Sequence, residues 1–504
     1  MIYSEGYNSQ LLSITVGGFM KIELNRQSDQ SLINQISSII AEKIRSGDLI
    51  GGSKLPSLRK FSLENQVSFM TVNKAYQLLE KNGYINLKHG KGAFVKRKET
   101  NKNMNSGTGN YDWQLNIPDY IQRSQYILNL KPVNSFNFTS AVINPKLLPT
   151  LYITKEINQI LQNDPQIVSR YSSVQGDEEV RQVVADYLKH YCQLKPKSSE
   201  IIITNGVQQG IDIVARTFIG PGDIVITEAP TYTAALDVFR NRGATIISIP
   251  VDENGMKTDK LASLCLTKKP KLVYTIPTFQ NPTGTVLSKR RREDLLELAK
   301  SNGFIIVEDD SWNEIYFDGT LPPPTIKSLD TDGHVIYLKG FSKTLAPGCK
   351  VGAIVSNGTI KKRLLTSKSC ADLGSPLLTQ KALVPFLNSN RMRTHLEKLR
   401  IALEIRRNRT ISLLENHAPE KVTWLIPKGG LNIWITFPTD KNTEELLSKA
   451  RYAEEISFLT SSACYPNEAP CNHIRISYSQ IDDQMLDQGI IKLCKVMHEF
   501  LSDK

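Results

Sequence analysis

The sequence predicts an α/β fold class: a large domain around a mostly parallel central sheet with a smaller C-terminal α+β part, preceded by a small helical head. Three observations predict it. After Leu130, short β-branched runs alternate with helical stretches, the pattern of strands joined by crossover helices. Between Ser31 and Gly83, apolar residues recur at helical spacing in three blocks marked off by cap and stop residues. At 504 residues the chain is too long for one compact core, so two or more domains are expected.

Residues before Met20 have no helical or strand periodicity that leads into the next segment. Gly17-Gly18-Phe19 can be encoded by a purine-rich ribosome-binding sequence just ahead of the Met20 codon, which makes Met20 a candidate start beside Met1. From Ser31 to Arg45, Leu32, Ile33, Ile36, Ile39, Ile40 and Ile44 mark a first helix, with Gly47 as its stop. Pro56 breaks the chain, and Ser57 can cap a second helix to about Asn65. Ser68 can cap a third, Phe69 to Asn82, closed by Gly83. Tyr84 to Leu87, the turn Lys88 to Gly92, and Ala93 to Val95 read as a hairpin. Three helices and a hairpin form a winged helix-turn-helix pattern.

Lys98 to about Asn110 is polar, rich in Asn, Gly and Lys, and lacks an apolar period, so it reads as a linker. Tyr111 to Leu130 carries enough apolar residues to pack, which leaves the linker's end open. The expected divisions are residues 20–97 for the head, 98–130 for the linker and 131–504 for the large domain. Its expected strands are Ile201–Thr204, Ile224–Thr227, Thr245–Ile249, Leu272–Ile276, Ile305–Glu308, Val335–Leu338 and Ala353–Ser356. A long helix from about Leu387 through Leu414 should precede the α+β end.

Composition excludes several classes. Hydrophobic residues make up 40% and charged residues 22%, near ordinary globular values, and no apolar run is long enough to cross a bilayer. With no basic start, apolar block and cleavage site, a cytoplasmic location is expected. The seven cysteines form no C-x-x-C pair, which argues against a disulfide framework or a zinc site. Net charge is +12, and residues 21–98 hold 14 Lys and Arg against six Asp and Glu. A basic excess at one end suits a polyanion partner, although a solvated basic face gives the same signal.

Within the head, Pro56-Ser57-Leu58-Arg59, the Thr71-Val72-Asn73-Lys74-Ala75-Tyr76 phrase and Gly90-Lys91-Gly92-Ala93-Phe94-Val95 resemble the GntR family over Ser31 to Val95. On the third helix Val72, Ala75, Leu78 and Leu79 should be buried, leaving Thr71, Lys74 and Gln77 outward for phosphates or base edges of double-stranded operator DNA. Ser68 and the helix amino end suit a phosphate, with Arg59 and the wing residue Lys91 as further DNA contacts. Ser68 is at least a cap, and Lys74 could be a solvated charge.

The sharpest phrase is Gly340-Phe341-Ser342-Lys343-Thr344-Leu345-Ala346-Pro347-Gly348-Cys349-Lys350, which resembles the S-K-x-x-x-P-G-x-R signature of fold-type I pyridoxal 5'-phosphate (PLP) proteins. The resemblance implies an aminotransferase-like domain in which Lys343 forms the internal aldimine, Ser342 lies beside it and Lys350 faces the phosphate. Only a primary amine condenses reversibly with the cofactor aldehyde. Asn205 to Gly210 follows a strand and opens a helix, placing the amides of Val207 and Gln208 for a phosphate. Pro230-Thr231-Tyr232 resembles the family's P-x-Y, which implies that Tyr232 stacks on the pyridine. Asn281-Pro282-Thr283-Gly284 resembles its N-P-T-G, which implies that Asn281 binds the ring hydroxyl. In Glu308-Asp309-Asp310 the resemblance assigns Asp309 to the pyridine nitrogen. It also implies that Tyr171 is donated to the cofactor phosphate across a homodimer interface, and that Arg475 in His473-Ile474-Arg475-Ile476-Ser477 grips an effector carboxylate. By itself Arg475 could be a strand-edge charge.

Two departures stand out. Ser311-Trp312 replaces the Tyr that often follows the pyridine-facing Asp, and Lys350 replaces the usual Arg, keeping charge but losing the bidentate fork. Head and body together resemble the MocR arrangement of the GntR family, which implies a homodimeric transcription regulator. Its cofactor would be PLP, and it would sense PLP itself or a small amino compound that displaces Lys343. The alternatives are a working aminotransferase, with Lys343 as general base, and a DNA-binding protein with a degenerate cofactor domain.

Overall fold

A computed structural model describes residues 22, 24, 31–45, 49, 52–88, 92–96, 136–466 and 469–502. The chain divides into two compact units, residues 1–121 and 122–504. Gly47, the wing tip with Lys91, the linker over 98–130 and both candidate start residues lie outside the described residues.

In the first unit, helix α1 (Leu32–Arg45) buries Ile36 and Ile40 completely. Ser57 caps α2 (Leu58–Asn65), its hydroxyl accepting from the Lys60 amide at 3.3 Å, and Gln66 turns the chain out in a left-handed conformation. Ser68 caps α3 (Phe69–Lys81) in the same way, accepting from the Thr71 amide at 3.0 Å. Strands β1 (Ile85–Lys88) and β2 (Gly92–Val95) pair antiparallel, Ile85 opposite Val95. Phe61, Val72, Ala75, Tyr76, Leu79, Ile85 and Val95 close the core, and the Tyr76 hydroxyl donates to the Pro56 carbonyl at 3.1 Å.

The buried face of α3 differs from the expected one by one residue. Tyr76 is buried where Leu78 was expected, and Leu78 is half-buried. The stripe from Val72 follows i, i+3, i+4 and i+7, which selects 75, 76 and 79; position 78 stands well round the helix from that stripe.

The second unit holds an eight-stranded sheet. Its strands are β3 (Ile201–Thr204), β4 (Ile224–Ala229), β5 (Thr245–Asp252), β6 (Gly255–Met256), β7 (Leu272–Thr275), β8 (Ile305–Asp310), β9 (Val335–Gly340) and β10 (Gly352–Val355). The order is β3-β10-β9-β8-β7-β4-β5-β6, with β10 antiparallel to both neighbours and the short β6 antiparallel to β5. Both faces are covered at β3, β7 and β10, which are buried along their whole length and run largely apolar rather than alternating. Ile201 and Ile203 pack with Tyr337, Ala353 and Val355 on one side, while Ile202, Ile336, Leu338 and Ile354 pack on the other.

A second sheet, order β11-β12-β14-β13, is antiparallel: β11 (Thr423–Trp424), β12 (Asn432–Thr436), β13 (Leu459–Thr460) and β14 (His473–Ser477). Ile433, Ile435, Ile474 and Ile476 form its apolar face, in one core with Leu403 and Leu414 of helix Asn390–His417 and Leu493 of helix Asp483–Ser502. The period of two sends Asn432, Trp434, Arg475 and Ser477 to the opposite face. The long helix begins at Asn390, because Leu377–Leu387 is a separate helix ending just before Asn388 and Ser389.

Candidate functional site

The site residues gather at the carboxyl ends of β3, β4, β7, β8 and β9, where open α/β sheets bind ligands. Strand alternation separates three consecutive acids of β8. Glu308 accepts from the amides of Ile326 and Lys327 at 2.9 and 2.8 Å. Asp310, on the same face, accepts from the Tyr337 hydroxyl at 2.6 Å and from Lys339 Nζ at 3.4 Å. Asp309 points the other way. Its two oxygens accept from the Tyr274 hydroxyl at 2.6 Å and the Ser311 hydroxyl at 3.0 Å. Burial pushes the Asp309 carboxyl up to about 6, and the two hydroxyl donors oppose that push.

Lys343 follows β9. Its Nζ donates to the Ala141 carbonyl at 2.7 Å, and burial together with the positive charge of Arg475 brings its amine down to about 8. Arg475 on β14 is buried, with Nη1 donating to Asn281 Oδ1 at 3.1 Å and Nη2 to the Thr139 carbonyl. Its Nε has no hydrogen-bond partner among the described residues, nor has the neighbouring Asn432 Oδ1. Burial lowers the Arg475 guanidinium from its ordinary value. The Tyr232 phenol is pushed up to about 12, first by burial and then by the charge of Asp309, while Arg475 acts in the opposite direction. Lys343, Arg475, Asn281, Tyr232 and Asp309 therefore share one electrostatic site.

Helix Val207–Phe218 begins at Gly206, whose φ of +81° calls for glycine, and no side chain caps it. The first amides, those of Val207 and Gln208, are left for an anion. Gly340 abuts this end: a side chain there would meet Val207 at 3.0 Å and Ser311 at 3.7 Å. Ser342 is half-buried. Lys350 is exposed in a left-handed turn, and Gly352, two residues on, packs against Gly206. Tyr171 is not brought to this site within one chain. It is 84% exposed and lines a separate cavity of about 530 Å³ with Ile167, Leu377, Val384 and Pro385.

Three features of the site escaped the sequence reading. Tyr274 supplies a phenol to Asp309 from β7, an expected strand to which no site residue was assigned. Gln280 Nε2 donates to Glu228 at 3.1 Å and to the Pro230 carbonyl at 2.7 Å, linking the loops that carry Tyr232 and Asn281. Burial raises that Glu228 to about 7. Lastly, a strap over 137–144 crosses the site. It is tied to the second sheet and the segment beyond it by Phe138 N to Ser457 O (2.8 Å), Ser477 N to Phe138 O (3.0 Å) and Asn144 N to Ser479 O (2.8 Å). In the motif itself, Gln280-Asn281-Pro282, the glutamine next to the recognised asparagine was the available signal.

In the head, Arg59 and Lys74 are exposed, as is Gln77. Ser68 is exposed too, but its hydroxyl lies 2.8 Å from that of Thr71, so these two residues engage each other. Phe69 and Met70, which the sequence reading passed over, are 44% and 57% exposed at the start of α3.

Comparison with known proteins agrees with both parts. Residues 144–493 match the family described as aminotransferase class I and II, and residues 32–95 match the bacterial regulatory proteins of the gntR family. An uncharacterized HTH-type transcriptional regulator of Bacillus subtilis, YisV, is 30% identical over 483 residues, 92% of this chain and 96% of that protein. Aromatic-amino-acid aminotransferase 1 of Thermococcus litoralis is 32% identical over 360 residues, 70% of this chain and 86% of the relative. Among solved structures, the kynurenine aminotransferase of Pyrococcus horikoshii in complex with PMP superposes with a TM-score of 0.72 at 31% identity, covering 76% of this chain and 96% of that one.

Proposed function

The chain belongs to the aminotransferase class I and II family and carries a gntR-family head, the arrangement of MocR-type transcription regulators; from this premise we propose that it binds operator DNA through the head and senses PLP or an amino compound at Lys343. Its cofactor is pyridoxal phosphate. The donor set fits that group: a half-buried amine at Lys343, a buried carboxylate at Asp309, uncapped amides at Val207 and Gln208, and the orphaned Arg475 Nε and Asn432 Oδ1. When bound, the cofactor supplies an aldehyde that condenses with primary amines and a ring that draws electrons from them.

The observation that carries the sensing proposal is that Lys343 and Arg475 hold the same strap, at Ala141 and Thr139. A ligand carboxylate on Arg475 takes the place of the Thr139 carbonyl, because a charged acceptor outcompetes a neutral one for a guanidinium fork. Engagement of the Lys343 amine likewise releases the Ala141 carbonyl. The strap comes after the expected linker in sequence, so loosening it is the proposed route by which ligand occupancy biases the head. Asp309 would hold the positive charge of a protonated ring nitrogen, Tyr232 would cover the ring, and Asn281 would orient its hydroxyl. We further propose a homodimer, in which Tyr171 reaches the partner's site, and a cytoplasmic location.

The test is the visible absorbance of the purified protein with PLP, for wild type and Lys343→Ala, followed by a panel of amines with operator binding read in parallel. Spectral shifts and altered DNA affinity without keto acid support the sensor. Steady keto acid production favours a working aminotransferase, a reading that the near-neutral Lys343 amine supports, since it suits a general base.

A further inference from the structure

Along α3 the residues opposite the buried stripe are Met70, Lys74, Gln77 and Lys81, at i, i+4, i+7 and i+11. Lys74, Gln77 and Lys81 are the polar and basic side chains that a DNA-facing ridge calls for. Met70 is not, yet it is 57% exposed, and Phe69 beside it is 44% exposed. The helix is otherwise ordinarily amphipathic, with Val72, Ala75, Tyr76 and Leu79 inside. Two large apolar side chains thus stand in water at the leading end of the ridge. Thr71, the polar residue next to them, is half-buried and has its hydroxyl 2.8 Å from that of Ser68.

We propose that Met70, flanked by Phe69, reads thymine C5-methyl groups in the major groove, so that the head selects its operator partly by apolar contact. This rests on the reading of the head as a DNA-binding module. Charge complementarity favours DNA as the occupant of this face: the ridge carries Lys74 and Lys81, the neighbouring helix carries Arg59, and residues 21–98 hold 14 basic against six acidic residues. The major groove is where the thymine methyl distinguishes its base pair, and apolar side chains recognise it by contact. Methionine suits the task, because its flexible, unbranched thioether adapts readily to a methyl surface. Burying one methyl is worth about a four-fold gain in affinity.

The experiment uses the full chain with its cofactor. Operator sites are selected from random-sequence duplexes with the wild-type protein, and each thymine of the selected site is then replaced singly by deoxyuridine, which lacks only the methyl. Wild type should lose about four-fold at one or more positions. Met70→Ala should bind the selected site more weakly and lose nothing further from the same replacement, whereas Met70→Leu should keep a penalty there. Phe69→Ala should blunt the penalty at an adjacent thymine. Both side chains are exposed, so these variants fold, and an unchanged thermal midpoint verifies it. A selected operator insensitive to deoxyuridine, or equally sensitive in wild type and Met70→Ala, overturns the methyl reading and leaves DNA binding standing. Selection of no operator at all overturns both. A Met70→Ala protein that binds DNA normally but changes its association state shows that the patch contacts protein instead and also overturns the proposal.

Discussion

Lys343 Nζ donates to the Ala141 carbonyl at 2.7 Å, two residues from the Thr139 carbonyl that accepts from Arg475. The strap is thereby held by the amine expected to take the cofactor aldehyde and by the guanidinium expected to take an effector carboxylate. The two cations sit in one site, where burial first and then the charge of Arg475 bring the Lys343 amine down to about 8.

Only the neutral form of that amine attacks an aldehyde, so the rate of cofactor capture should rise with pH through about 8 and level off above it. An unshifted lysine would still be gaining near its ordinary value of 10.5. Rapid-mixing absorbance at a series of pH values measures this, and Lys343→Ala should abolish the signal while leaving the thermal midpoint within a few degrees.

Asp309 is buried with its carboxyl raised to about 6 from an ordinary 3.8. Because the folded value lies above the unfolded one, ionisation of Asp309 destabilises the cofactor-free fold. The loss begins as pH rises past about 4 and is complete above about 6. Its size is on the order of 2–3 kcal/mol. Denaturant titrations of cofactor-free protein from pH 4 to 7 should show wild type losing stability relative to Asp309→Asn across that window. The same substitution should weaken PLP binding at neutral pH by roughly ten- to a hundred-fold, the worth of a hydrogen bond to a charged group.

Tyr274→Phe removes the shorter of the two hydroxyl donors on Asp309 and should move the carboxyl further up. The pH midpoint for tight cofactor binding should rise by about one unit, with neutral-pH binding several-fold weaker. A midpoint unchanged from wild type would show that this phenol has no hold on Asp309.

Arg475→Lys keeps the positive charge but not the planar fork. Amino compounds bearing a carboxylate should lose roughly ten-fold or more in their effect on the spectrum, whereas simple amines without one should be unaffected. Equal losses for both classes would mean that Arg475 supports the fold rather than the ligand.

In the head, Phe61 is fully buried against Tyr76, with ring centroids 5.9 Å apart. Phe61→Ala should cost about 3–5 kcal/mol and abolish operator binding. Ser68→Ala should cost about 1 kcal/mol through the lost cap. Proteolysis of the head, with cofactor absorbance unchanged, distinguishes this from damage to the large unit.

The sequence by itself determined whatever depends on neighbours a few residues apart. Helix caps at Ser57 and Ser68, the strands ending near Thr204 and Asp309, and the phrase around Lys343 are all local, because caps, periods and motif spacings act within a turn or two of chain. The same local rule misplaced Leu78, where a run of two leucines hid the true stripe through Tyr76. Only the tertiary structure decided what meets across the fold. Placing β7 beside β8 brings Tyr274 to Asp309, 35 residues away, and the strap reaches Lys343 over 202 residues and Arg475 over 336. Such contacts depend on strand order and on which face each side chain takes. Neither is written in the identity of the residues, since a tyrosine in a buried strand reads as core until the sheet sets it beside a carboxylate.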